Sequence, residues 1–194
     1  MSQTSTADVD LVGEEIAVNI AQSAVFAALI GAFAYVAIPY PLSPAPVTLQ
    51  VLGVFLAGLL LGPTWGAASM VLYLAAGALG APVFAQGTAG LGELLGPTGG
   101  YLFSYPVAAA AVGYIAHGGL EFRSLAESSI PRMVAGMAAG TLVIYGFGVP
   151  FMWWNLDMTV QTAIISGAVV FVPAEAAKMA AAVGLVRSNA IRAE

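Results

Sequence analysis

Apolar runs, each close to the length of a bilayer crossing and punctuated by clusters of proline and glycine, dominate this chain and restrict its fold more than anything else. A transmembrane helix needs about 20 mostly apolar residues. Of 194 residues, 60% are hydrophobic and only 8% charged, whereas a soluble domain carries about a quarter charged residues to cover its surface. An ordinary cytosolic enzyme and a disordered chain are excluded. Five basic residues in all cannot build a phosphate-binding face, so no nucleic-acid partner is expected. The absence of cysteine removes disulfides, thiolate metal sites and cysteine nucleophiles. The expectation is an all-α integral membrane protein embedded in the lipid bilayer.

The runs predict six transmembrane helices in one membrane domain, residues 16–194, behind an acidic N-terminal segment, residues 1–15, with Asp8, Asp10, Glu14 and Glu15. The predicted spans are 16–38, 47–61, 65–80, 101–116, 133–154 and 173–186. Pro39, Pro41, Pro44 and Pro46 end the first and make 39–46 a stiff loop, because proline lacks the N–H that a helix requires. Gly62-Pro63-Thr64 is a stop-and-restart signal between the second and third. The stretch 81–99 is long, rich in glycine and still apolar, so it is expected to fold back onto the bundle. Pro173 either kinks a long helix or starts a new one; the second is favoured, with a short helix before it. Leu-Leu-Gly-Pro-Thr occurs at Leu60–Thr64 and again at Leu94–Thr98, read as a shared helix boundary.

Six crossings put both termini on one side. That side holds Arg123, Arg132, Arg187 and Arg192, while the loops 39–46, 81–99 and 155–157 hold no lysine or arginine. The positive-inside rule makes the termini cytoplasmic and those three loops external, in a multi-pass protein of the cell membrane. Trp153 and Trp154 then lie at the outer interface and Trp65 at the inner one.

Lys178 is the one basic residue outside the arginine set, with Glu175 three positions before it on the same helical face. A charge at that depth costs about 2.5–3.5 kcal/mol and ordinarily faces a cavity or a partner. The bland alternatives are a self-neutralising pair or a lysine snorkelling to the cytoplasm. Should Pro173 begin the helix, Glu175 sits among the free N–H groups of its first turn, suited to a polar ligand. The glycine-rich stretch 86–101 is either a second ligand surface or a tight-packing connector. Ala24, Ala28 and Ala32 make a smooth ridge for helix packing, within the chain or against another protein. His117, the only histidine, makes no metal site and reads as a loop residue. An intramembrane enzyme acting through Glu175 or Glu93 lacks a nucleophile or metal set.

Several stretches together resemble the BioY family, the biotin-binding S components of energy-coupling factor (ECF) vitamin transporters. They are Ala32–Pro46 with Val47-Thr48-Leu49-Gln50, Leu56–Pro63, Pro82-Val83-Phe84-Ala85, Gly90-Leu91-Gly92, Leu95–Leu102 with Gly-Pro-Thr-Gly-Gly-Tyr, and Phe171–Lys178. The resemblance implies the six-helix S-component fold and capture of biotin from outside. It places Gln86, Thr98, Gly99, Gly100, Tyr101, Glu175 and Lys178 at the ligand, with no other cofactor. It also implies docking through Ala24, Ala28 and Ala32 onto a membrane T component, which two ATPase subunits energise. The family's usual Pro-Gly-Asp-x-x-Lys is here Pro173-Ala174-Glu175-Ala176-Ala177-Lys178, with the carboxylate one methylene farther out. Glu175 suits the ureido N–H groups of biotin; Lys178 suits the ureido oxygen or the carboxylate. The other readings are a stand-alone biotin facilitator or secondary carrier, and an S component for another small vitamin.

Overall fold

The structure, a computed structural model, describes residues 12–123, 125 and 128–188. Asp8, Asp10, Glu127 and Arg192 lie outside the described residues. The order is α1 (Val12–Ala34), β1 (Ala37–Ile38), β2 (Val47–Thr48), α2 (Gln50–Ala78), α3 (Leu91–Leu95), α4 (Gly99–His117), α5 (Ile130–Leu156), α6 (Val160–Gly167) and α7 (Val172–Arg187). Among the described residues, four stretches are long and apolar enough to cross a membrane: Gly13–Ala34, Gln50–Ala78, Ile130–Leu156 and Val160–Arg187.

The segment α2 is two limbs rather than one rod. Gly62 takes φ 74° and ψ −175°, outside helical geometry, and Pro63 follows it. Side chains at 50 and 73 hydrogen-bond to each other, although 23 positions of straight helix would hold them about 35 Å apart. A Cβ on Gly66 would meet the Ala57 carbonyl at 2.8 Å, so the limbs also touch near the turn. The chain therefore doubles back at Gly62, a left-handed position that suits a residue without a Cβ. The second Leu-Leu-Gly-Pro-Thr behaves differently: Gly96 is extended, and Thr98 precedes α4. Both copies are helix boundaries with unlike geometries.

The central helix α4 packs on α2 and on α5. Small residues make this possible. Gly58 and Gly113 let α2 and α4 cross at backbone distance, and Gly136 and Gly140 do the same for α4 and α5. Close approach through small residues is how helices associate where lipid removes the hydrophobic drive. Phe55, Leu59, Met70, Tyr73, Ala108 and Val112 fill the seam. Outward positions such as Val25, Leu142, Phe147 and Trp154 are apolar and exposed, as a lipid-facing shell requires.

The first helix ends at Ala34, four residues short of the expected limit. Ala37 and Ile38 instead pair antiparallel with Thr48 and Val47, and the Tyr35 hydroxyl donates to the Pro82 carbonyl at 2.7 Å. This two-residue ladder, an addition to the all-α expectation, pins the ends of the proline strap 39–46. The glycine-rich stretch does fold back. Phe84 is buried edge-on against Tyr73, and Gly90 N–H donates to the Gly77 carbonyl at 2.7 Å.

The described arginines gather at one end of the bundle. The Arg187 guanidinium donates to the Ser128 carbonyl, and that of Arg132 lies near Gly118. His117, buried there, contacts the Leu59 carbonyl through Nε2 and the Arg123 backbone through Nδ1, which makes it a clamp between α2 and the following loop.

Candidate ligand cavity

The last stroke of the chain is broken in mid-course. After α6, Ala168 leaves helical geometry, 169–171 make a 3-10 turn, and α7 begins at Val172 with Pro173 in its first turn. Proline at that position sacrifices no hydrogen bond, since first-turn N–H groups have no helical acceptor. Glu175 thus sits in the first turn of α7, with Lys178 one turn deeper.

Glu175 and Lys178 are 5% and 6% exposed. Lys178 Nζ donates to Glu175 Oε1 at 2.8 Å. Lys178 does not snorkel, and both side chains line a cavity with about 690 Å³ of empty space, part of it open to the exterior. The wall combines Pro46 of the strap, Val47 of β2, Phe84 and Ala85 of the refolded stretch, Thr98, Tyr101 and Tyr105 of the α4 region, Tyr145 of α5 and Phe171. The polar wall is served by three further groups, Thr48, Gln50 and Glu93. The strap and the 81–98 stretch contribute Ala45, Pro46, Phe84, Ala85, Glu93 and Thr98 to the wall, at the end of the bundle away from the arginines.

Four of the seven residues expected at the ligand, Thr98, Tyr101, Glu175 and Lys178, line this one cavity. Tyr101 presents its ring, because its hydroxyl is already committed to the Gly167 carbonyl at 2.8 Å. Gly99 and Gly100 do not line it. They are buried where a Cβ would collide with the Leu94 carbonyl or with Phe147 and Phe151, so their glycine character serves packing. Gln86 is exposed, at φ 60°, and borders an outer groove with Tyr40 and Ser43; it is not among the residues that line the cavity. Ala24, Ala28 and Ala32 all face outward, while Ser23, Ile30 and Ala34 turn inward.

Sequence reasoning missed Gln50, Tyr105 and Tyr145 as wall residues. Gln50 is a buried polar hub: Thr48 Oγ1 donates to its Oε1 at 2.9 Å, and its Nε2 donates to Tyr73 Oη at 2.6 Å. A glutamine inside an apolar run was the available signal for it, since such groups must find partners. The tyrosines gave none, being counted with the apolar residues around them.

Fold and site together define a multi-pass membrane protein with a largely apolar cavity into which a few polar side chains are set. A solved structure titled as the S-component for biotin from an ECF-type ABC transporter superposes with a TM-score of 0.79 at 24% identity, covering 96% of this chain and 93% of its own. The chain belongs to the BioY family, whose profile matches residues 2–193. The Biotin transporter BioY of Thermotoga maritima is 36% identical over 157 residues, 75% of this chain and 91% of that protein. The Probable biotin transporter BioY of Pyrococcus horikoshii is 37% identical over 160 residues, 82% and 88% of the two chains. These relatives are named as transporters, proteins that move a ligand without altering it.

Proposed function

We propose that this protein is the biotin-capturing S component of an ECF-type transporter. The observation that carries the reading is the buried Glu175–Lys178 pair lining a cavity together with the proline strap and the 81–98 stretch. Biotin brings ureido N–H donors, a ureido acceptor, an apolar bicycle and a carboxylate. Glu175 accepts from the N–H groups, Lys178 donates to an acceptor, and the rings of Phe84, Tyr101, Tyr105 and Phe171 cover the bicycle. Thr98 completes the wall; Gln86, Gly99 and Gly100 act indirectly by shaping the outer stretch and seating α4. No cofactor or metal enters this reading.

Six crossings are counted as α1, the two limbs of α2, α4, α5 and the broken α6–α7 stroke. The gathered arginines support cytoplasmic termini, external loops 39–46, 81–99 and 155–157, and placement in the cell membrane. Residues 1–15 then form a cytoplasmic acidic segment and 16–194 the membrane domain. The outward ridge Ala24, Ala28 and Ala32 offers a T component a close-packing face, and two ATPase subunits supply the energy for inward delivery.

Isothermal titration of the purified protein with biotin tests the reading. Dissociation constants below micromolar are expected; no heat at micromolar concentrations overturns it. Reconstituted uptake then separates a subunit from a self-sufficient carrier: ATP-dependent uptake with the energising subunits, and none by the chain alone, is the expected result.

A further inference from the structure

Among the described residues, two buried side-chain oxygens have no hydrogen-bond partner: Glu175 Oε2 and Tyr145 Oη. Both side chains line the same cavity, one from α7 and one from α5. A buried polar atom left unpaired is costly and is ordinarily satisfied by something. Two such atoms, both in one cavity wall, point to a ligand that satisfies both.

Their chemistries differ. Glu175 Oε2 accepts, so it calls for a ligand N–H. The phenol of Tyr145 donates best to a carbonyl or carboxylate oxygen. In a cyclic urea the N–H and the C=O share a carbon, so a group that meets Glu175 with its N–H brings its oxygen alongside. A carbonyl oxygen accepts two hydrogen bonds. Lys178, bonded to Glu175 through one of its three protons, has another to give, and that leaves one lone pair for a second donor.

We propose that Tyr145 is a ligand-specificity residue whose hydroxyl donates to the ureido oxygen of biotin, completing with Glu175 and Lys178 a three-point reading of the urea edge. This rests on the biotin reading above. It adds a ligand group from α5, a helix on which sequence analysis placed no site residue.

The test is Tyr145→Phe, titrated with biotin and with the thio analogue that carries sulfur, a weak acceptor, in place of the ureido oxygen. The dissociation constant for biotin should rise about five- to tenfold. For the analogue the same replacement should change it by less than about twofold, because the acceptor is already impaired. The thermal midpoint of the ligand-free variant should hold or rise, since an unpaired buried hydroxyl has been removed; that measurement also reports folding. An unchanged biotin constant overturns the assignment, as does an equal loss for both ligands, which would mean that the hydroxyl acts by holding Glu175. A falling midpoint without ligand likewise counts against it, marking a structural hydroxyl. Wild-type protein that fails to bind biotin defeats the biotin reading and this assignment with it; wild-type binding with an unaltered variant defeats the assignment alone.

Discussion

Gln50 Nε2 donates to the Tyr73 hydroxyl at 2.6 Å across the two limbs of α2, and Gln50 Oε1 accepts from Thr48 at 2.9 Å. The three residues form a closed polar chain behind the ladder that pins the proline strap. Gln50→Leu keeps the volume but strands Tyr73 and Thr48. The expected outcome is a loss of about 1–3 kcal/mol in stability, read as a lower thermal midpoint in detergent.

Lys178→Ala leaves Glu175 buried beside an empty place. Breaking a buried pair from one side costs about 3–5 kcal/mol while the survivor stays charged. Binding should weaken at least about a hundredfold through the lost donor and the misplaced carboxylate. The double replacement Glu175→Gln, Lys178→Met should regain thermal stability without regaining binding. Titration and thermal unfolding of the three proteins check this, and normal binding by Lys178→Ala would refute the site.

Tyr101→Phe removes the bond to the Gly167 carbonyl while keeping the ring against Gly148. That bond ties α4 to the end of α6, where the last stroke breaks. A loss of about 1 kcal/mol in stability is expected, with a smaller drop in affinity than for Lys178→Ala. Parallel thermal and titration measurements distinguish the two.

Ala28→Trp alters a helix face that points away from the cavity. Biotin binding by the isolated protein should stay within about twofold of wild type, since distant sites act independently. ATP-driven uptake in vesicles holding the energising subunits should collapse. Loss of binding instead would mean that this face belongs to the fold of the chain itself.

Breaks along the chain were legible because proline and glycine act locally. Gly62-Pro63 and Pro173 mark real helix boundaries, and the glycine-rich stretch packs back through Phe84 as its apolar content required. Glu175 and Lys178 were legible because charge inside an apolar run needs a reason. Which way each helix faces was not legible. Lipid tails and a protein core are equally apolar, so Leu142, exposed, and Ile144, buried, look alike in sequence. Tyr145 and Tyr105 were hidden for that reason. Nor was the positive φ of Gln86 legible, because glutamine carries no local signal for a left-handed turn.

The reversal at Gly62 also governs how residues 50–78 enter a membrane. Drawn out as one rod, these 29 residues would measure about 43 Å, well beyond a hydrocarbon thickness of about 30 Å, and would strand apolar turns in water. Folded at the glycine, the same stretch is a compact pair that hides its joint backbone groups and leaves no hydrophilic connector to carry across.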